Sequence, residues 1–477
     1  MTTEPSALAP HAFAASGACA EAGTTPAETT LDATRCGPVR QLGVRHAISV
    51  CVGMVIGAGI FKTSPTVAGN VMTDTALFLA WAFGGLLSLA GALCFAEMAA
   101  AFPDAGGDYF FLRTAYGRRI GFLFAWSRFA VIHTGSMALL AFVFGDYLAQ
   151  VVNFGPYSSA GFGTAAILTL TLLNLKGIRL GIGTQVGLMI LVLFGLVCVG
   201  FAGAWEASHG HASATPFVHV GPDRTDIGAA LVFVFLAYGG WSDAATLSSE
   251  MRDARRGIVW ALIGGMSIVT VLYLLANWGY VRVLGLDGLA GSQAPAADLM
   301  LRAFGKPGEL LIVAVVAVTS ISVMNALLIA GARTTYAAAR DVPGLTVLGA
   351  WDSERGTPAH AVIAMGCVAL LLVGFGTLTR GGFATMVDYL SPVYWCFLSL
   401  SGAAVLVLRW RYPDTERPFK VPGYPLIPIA FVASSLYVLA SSLDYVRTGA
   451  WVGVLVLAVG AVLLWPLERW HRAQGTA

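Results

Sequence analysis

A chain of 477 residues that is 57% hydrophobic, only 11% charged and has a mean hydropathy of +0.75 lies far from soluble globular domains, in which about a quarter of residues carry charge. The formal net charge of +2 comes from basic residues scattered over polar connections, with no basic patch for nucleic acid. Five of the seven cysteines (Cys51, Cys94, Cys198, Cys367, Cys396) sit in apolar runs and two, Cys19 and Cys36, near the N-terminus, with neither metal-ligand spacing nor a disulfide framework. These features predict an all-α polytopic membrane protein.

Residues 1–41 are rich in Ala, Thr, Pro and Ser, lack the apolar core and basic start of a cleaved signal, and predict a disordered cytoplasmic tail. Beyond them, at about 20 apolar residues per crossing, the pattern predicts twelve transmembrane helices. Their limits are 44–64, 76–100, 119–151, 162–175, 180–204, 226–249, 257–283, 309–337, 360–379, 384–409, 426–445 and 450–467. The first contains Gly53-Met54-Val55-Ile56-Gly57-Ala58-Gly59-Ile60-Phe61, with three glycines in seven positions. Glycine inside a helix costs about 1 kcal/mol relative to alanine, so a break is expected here, its freed N–H and C=O groups lining a polar cavity. Close approach of a neighbouring helix would account for the same glycines. The sixth run repeats the theme in Phe235-Leu236-Ala237-Tyr238-Gly239-Gly240-Trp241-Ser242-Asp243. One glycine-interrupted span in each half of a chain points to a transporter binding site.

Glu97 ends the second span, and the following stretch to Tyr109 reads as a turn and a short amphipathic piece. Arg128 lies inside the third span, where it is either functional or snorkels to the headgroups. His133, five residues on, falls on a different face of an α-helix, so no shared Arg–His relay is expected. The outer loop with Glu206, His209, His211 and His219 reads as solvated rather than as a metal site. Asp146, Asp298 and Asp388 are expected to be solvated on the outer side. Asp243 is either a proton-coupling group or the cap of a second half-helix. Ser322, Asn325, Tyr394 and Trp395 are candidates for a side-chain pocket, or for ordinary interhelical packing.

With a cytoplasmic N-terminus, only Arg224, Arg282, Arg302, Lys306, Arg380 and Arg447 among the loop cations face outward, against twenty facing the cytoplasm. Both termini are therefore expected to be cytoplasmic. The two glycine breaks then lie in spans of opposite direction, five apart, which predicts a five-plus-five inverted repeat. The expected parts are residues 1–41 (tail), 42–204 (first repeat), 205–225 (extracellular loop), 226–410 (second repeat), 411–467 (two additional helices) and 468–477 (cytoplasmic tail).

The first-span stretch resembles the signature of the amino acid–polyamine–organocation superfamily. Glu97 through Gly107, Tyr238-Gly239-Gly240-Trp241, Glu250-Met251-Arg252-Asp253-Ala254-Arg255-Arg256 and Arg417-Pro418-Phe419-Lys420-Val421-Pro422-Gly423-Tyr424-Pro425 agree with it. The chain is most similar to bacterial relatives of heteromeric amino acid exchanger light subunits. The resemblance implies a leucine-transporter-like fold with broken first and sixth helices. It places the substrate carboxylate at the N–H groups of Gly57, Ala58 and Gly59. The ammonium would meet carbonyls near Ile56, Phe235, Leu236 and Tyr238, with Gly239 also among the expected substrate-binding residues. Trp241, Asp243, Arg128 and Glu97 become gating or coupling candidates. Leu236 stands where many relatives carry an aromatic gate, and the run from Leu188 to Leu193 lacks the lysine that many carry in the fifth span.

The expected function is secondary transport of neutral L-amino acids across the inner (cytoplasmic) membrane, as exchanger or proton-coupled permease, with the amino acid and the lipid bilayer as partners. A polyamine permease would want more acidic and aromatic groups facing the cavity. A membrane-embedded enzyme would need converging His/Asp/Glu clusters, and ATP-driven pumping a phosphate-binding loop; the sequence contains neither. No cofactor or metal is expected. The sequence leaves open the coupling ion, including the proton, and the oligomeric state.

Overall fold

Apolar runs of membrane-spanning length, punctuated by Gly and Pro, fold as a helical bundle in the computed structural model. It describes residues 43–102, 107–177, 182–209, 225–244, 251, 254–340, 347–352, 357–379, 381–445 and 449–474. The expected N-terminal tail, His211, His219 and most of the 250–253 stretch lie outside the described residues. Among the described residues the helices are α1 (Val44–Val55), α2 (Ile60–Ala68), α3 (Asp74–Ala101), α4 (Asp108–Tyr116) and α5 (Arg118–Ser127). A π-helical turn, Arg128–His133, leads into α6 (Thr134–Val151), α7 (Ser158–Leu175), α8 (Ile182–His209), α9 (Ile227–Ala237) and α10 (Trp241–Ala244). The chain continues through α11 (Ala254–Gly291), α12 (Pro295–Arg340), α13 (Ala359–Leu378), α14 (Gly382–Arg411), α15 (Leu426–Tyr445) and α16 (Gly449–Gln474).

Nine of these helical segments are long and apolar enough to cross a membrane, or ten when α1 and α2, bent by 48°, count as one span. The other two expected spans are shorter among the described residues. Tyr238 to Gly240 cut the sixth apolar run after α9, and the last run is apolar only over Trp451–Leu463. In α11 and α12 the helix continues beyond a kink at Gly285 (φ 72°) and at Gly305 (φ 67°), the second followed by Pro307.

Two local devices fix the ends near α2. Thr73 caps α3 by accepting from the Ala76 N–H at 3.1 Å, and Asp226 caps α9 by accepting from the Ala229 N–H at 2.9 Å. The Asp226 N–H in turn donates to the Asn70 carbonyl at 2.9 Å, joining the far end of α2 to the start of α9. Small residues then let helices close on one another, as in other membrane bundles. A Cβ at Gly85 of α3 would lie 2.6 Å from the Thr270 hydroxyl of α11, and one at Gly84 would lie 2.3 Å from Val234 of α9. α3 is thereby pressed against both, next to the interruption between α9 and α10.

Candidate functional site

The first break is built from a tight turn. Ile56, at φ −75° and ψ 85°, lets the Gly57 N–H reach back to the Val55 carbonyl at 2.9 Å, the bond of an inverse γ-turn. Helix resumes at Ile60, with Phe61, Lys62 and Thr63 donating to Ala58 or Gly59. The N–H groups of Ala58, Gly59 and Ile60 have no acceptor among the described residues, and the Ile56 and Gly57 carbonyls no donor. These donors gather at the positive end of a half-helix, suited to a carboxylate.

The second break follows Ala237. Gly239 donates to Leu236 at 3.1 Å, leaving the Phe235 carbonyl without its helical donor, and Gly240 turns the chain at φ +100°. The two breaks touch. A Cβ on Gly240 would lie 2.4 Å from the Met54 carbonyl oxygen, and one on Gly59 would lie 3.8 Å from the Ala237 Cα. Tyr273 of α11 spans both, its hydroxyl 3.2 Å from the Val55 carbonyl and 3.0 Å from the Ala237 carbonyl. Tyr238 donates to the Trp81 carbonyl at 3.1 Å, and Trp81, Tyr238 and Tyr273 form a buried aromatic cluster behind the breaks.

Around this centre Phe235 is buried and meets Trp395 edge-on at 5.6 Å, while Tyr394 packs on Trp395 and brings its hydroxyl near Gly239. Leu236 is half-buried. Trp241 is buried between Phe95 and Phe431. Ser322 is half-buried, whereas Asn325 accepts from Asn174 of α7 at 2.7 Å, an interhelical bond. Glu97 is buried and accepts two bonds from Arg409, at 2.7 and 2.6 Å, and one from the Val421 N–H at 2.7 Å. Asp243 belongs to α10; its side chain lies outside the described residues. His209 stacks on Trp205 at 4.1 Å.

Three expectations are corrected. Arg128 and His133 do meet, with guanidinium nitrogens 2.9 and 3.3 Å from the His133 Nε2, because the π-helical turn brings residues five apart onto one face. Asp146 is not simply solvated: it pairs with Lys62 at 2.7 Å. Asp388 is half-buried, and its Oδ1 is buried without a hydrogen-bond partner. A small cavity beside the breaks is lined by Asp108, Arg128, Ile132, Ser242, Tyr394 and Phe397. Its volume of about 30 Å³ holds about two waters and no amino acid.

The family model described as amino acid permease matches residues 42–464. The chain belongs to the amino acid permease family. This permease is 29% identical over 415 residues to the b(0,+)-type amino acid transporter 1 of Mus musculus, covering 84% of the chain and 82% of the relative. It is 28% identical over 443 residues to the serine/threonine exchanger SteT of Bacillus subtilis (91% and 98%). It is also 26% identical over 435 residues to the large neutral amino acids transporter small subunit 2 of Homo sapiens (88% and 79%). The permease is thus a multi-pass membrane transporter and not an enzyme.

Sequence reasoning missed Tyr273, Lys62 and Tyr147. A tyrosine within an apolar run carries no sign of where its hydroxyl points. The lysine three residues past Gly59 did carry a signal, since a charge within a span is a functional candidate by default.

Proposed function

We propose that this permease moves neutral L-amino acids across the cytoplasmic membrane by alternating access and ion-independent exchange. Its main-chain binding site lies at Ile56, Gly57, Ala58 and Gly59 of the first span and at Phe235, Leu236, Tyr238 and Gly239 of the sixth. In this reading the twelve spans are completed by α1 with α2, by α9 with the segment after it, and by α16. Two five-helix repeats are related by an axis in the membrane plane, both termini are cytoplasmic, and the Asn70 end of the bundle is outside. The observation that carries the reading is the abutment of the two breaks, with unsatisfied donors at Ala58, Gly59 and Ile60 beside unsatisfied acceptors at Ile56, Gly57 and Phe235. A zwitterion needs donors and acceptors a few ångströms apart, and two unwound helices supply both without a buried fixed charge. The relatives' names, a serine/threonine exchanger and a large neutral amino acid transporter, support both the substrate class and exchange.

Side-chain selectivity falls to Tyr394, Trp395 and Ser322 around the breaks. Leu236 forms a smaller lid than an aromatic ring would.

The test is uptake of a labelled amino acid panel into proteoliposomes, with and without internal substrate and with and without a pH gradient. Entry of serine, threonine, alanine and leucine is expected. No uptake of any neutral amino acid under either loading, or uptake of putrescine alone, would overturn the reading in favour of an amine permease.

A further inference from the structure

The far side of the first break holds a cluster that the binding site does not use. Lys62 of α2 is buried, its side chain only 7% exposed. Its ammonium lies 2.7 Å from the Asp146 carboxylate of α6, 2.7 Å from the Gln293 carbonyl and 3.0 Å from the Gln293 side-chain oxygen. Gln293 belongs to the short connection between α11 and α12. Three separate parts of the bundle therefore converge on one ammonium group.

A second bond beside it has a definite sequence cause. Pro65 lies inside α2 and has no N–H, so the Phe61 carbonyl loses its ordinary helical donor four residues on. The Tyr147 hydroxyl fills that vacancy at 2.7 Å and lies 3.4 Å from the Ala296 N–H at the start of α12. Consecutive residues of α6, Asp146 and Tyr147, thus hold consecutive residues of α2, Lys62 and Phe61. A contact that only stabilised the bundle would need no buried charge, because apolar packing of similar volume serves as well or better. A charge pair differs in being strong when closed and separable when each partner can reach water, as at the mouth of a transport path.

We infer that Lys62 and Asp146 form the outer gate of the transport path, positioned by Tyr147 and the Gln293 connection. This rests on the alternating-access reading and deepens it. With the pair closed, α2 is held against α6 and the path is shut from outside. Opening moves α2, and with it the amides of Ala58, Gly59 and Ile60, away from α6. The outer and inner sides are then coupled, so loosening the outer gate must close the inner one.

Two single-cysteine reporters in a cysteine-free background test this in proteoliposomes. Ala296→Cys, at a fully buried position beside Tyr147, reports access from outside; Ser242→Cys, on the wall of the small cavity, reports access from inside. Each is combined with Lys62→Gln, with Asp146→Asn, and with the charge swap Lys62→Asp plus Asp146→Lys. Both single changes should raise labelling of residue 296 by an impermeant outside reagent about tenfold. They should lower labelling of residue 242 from inside, and the swap should return both rates toward the parent values. Labelling that rises at both positions, as loosened packing would give, or that moves at neither, overturns the gate. Where a single variant does not insert, Lys62→Arg, which keeps the charge in a larger head group, must leave both rates near the parent values or the gate is likewise overturned. Labelling is read without transport, so failure of the gate is distinguishable from failure of the uptake experiment.

Discussion

Gly57 and Gly240 are the same residue type serving opposite purposes. Gly240 adopts φ +100°, and a Cβ there would strike the Met54 carbonyl oxygen at 2.4 Å, so both conformation and contact demand glycine. Gly57 is under neither constraint: the nearest atom to a Cβ built on it is the Gly59 nitrogen at 4.0 Å. The room beside Gly57 is what a substrate would need to reach the backbone donors. Gly240→Ala should therefore lower stability by about 2 kcal/mol or more, read as a lower unfolding midpoint in detergent. Gly57→Leu should insert with a near-parental midpoint yet lose the stabilisation that added amino acid gives. A Gly57→Leu protein that is still stabilised by serine or leucine would place the substrate elsewhere. The glycines themselves were legible in the sequence, but the difference between them was not. One depends on a dihedral angle and on a neighbour 186 positions away in the chain, the other on empty space.

Elements were legible where the signal is local. Long apolar runs gave nearly all the helices, and the expected limits 257–283 and 309–337 stop close to the kinks at Gly285 and Gly305. The π-helical turn escaped because a widened turn is set by neighbours, here the Tyr389 hydroxyl donating to the Ala130 carbonyl at 2.7 Å. Pairings between elements escaped for the same reason: they follow from the register of one helix against another. The connection after α14 is a case in point. Glu97 of α3 gathers Arg409 in two bonds and lies 3.6 Å from Arg417, whose own guanidinium donates to the carbonyls of Leu408, Tyr412 and Thr415. Tyr424 lies over the Arg409 guanidinium at 3.7 Å. Removing one partner of a buried charge set costs about 3–5 kcal/mol because the remainder stays unpaired. Glu97→Gln, which keeps the shape and loses the charge, should lower the unfolding midpoint and expression together. An unchanged midpoint would show that this latch contributes little to holding α3 against α14.

At the scale of the whole molecule the open question is what energy drives the cycle, and the balance of buried charge bears on it. The fifth span has no lysine between Leu188 and Leu193 to stand in for a bound cation. A sodium site near the eighth span would draw on hydroxyls such as Thr319 and Ser320. Both donate to carbonyls of their own helix, at 2.7 and 2.8 Å, the ordinary bond of a hydroxyl within a helix, and that bond carries no sign of a sodium site. Lys62 already has Asp146 beside it, and Glu97 has Arg409, so these charges need no mobile ion to balance them. This balance supports the exchange proposed above, because a carrier that returns only when loaded requires no ion. Asp243, just past the second break, and Asp388, whose buried Oδ1 has no partner among the described residues, are rivals for proton coupling. The prediction is that liposomes containing a neutral amino acid take up external label rapidly, whereas empty liposomes do not accumulate it under an inward proton gradient. Accumulation in empty liposomes that is driven by that gradient, and is abolished by Asp243→Asn or by Asp388→Asn, would replace exchange with proton coupling and identify the carboxylate that carries the proton.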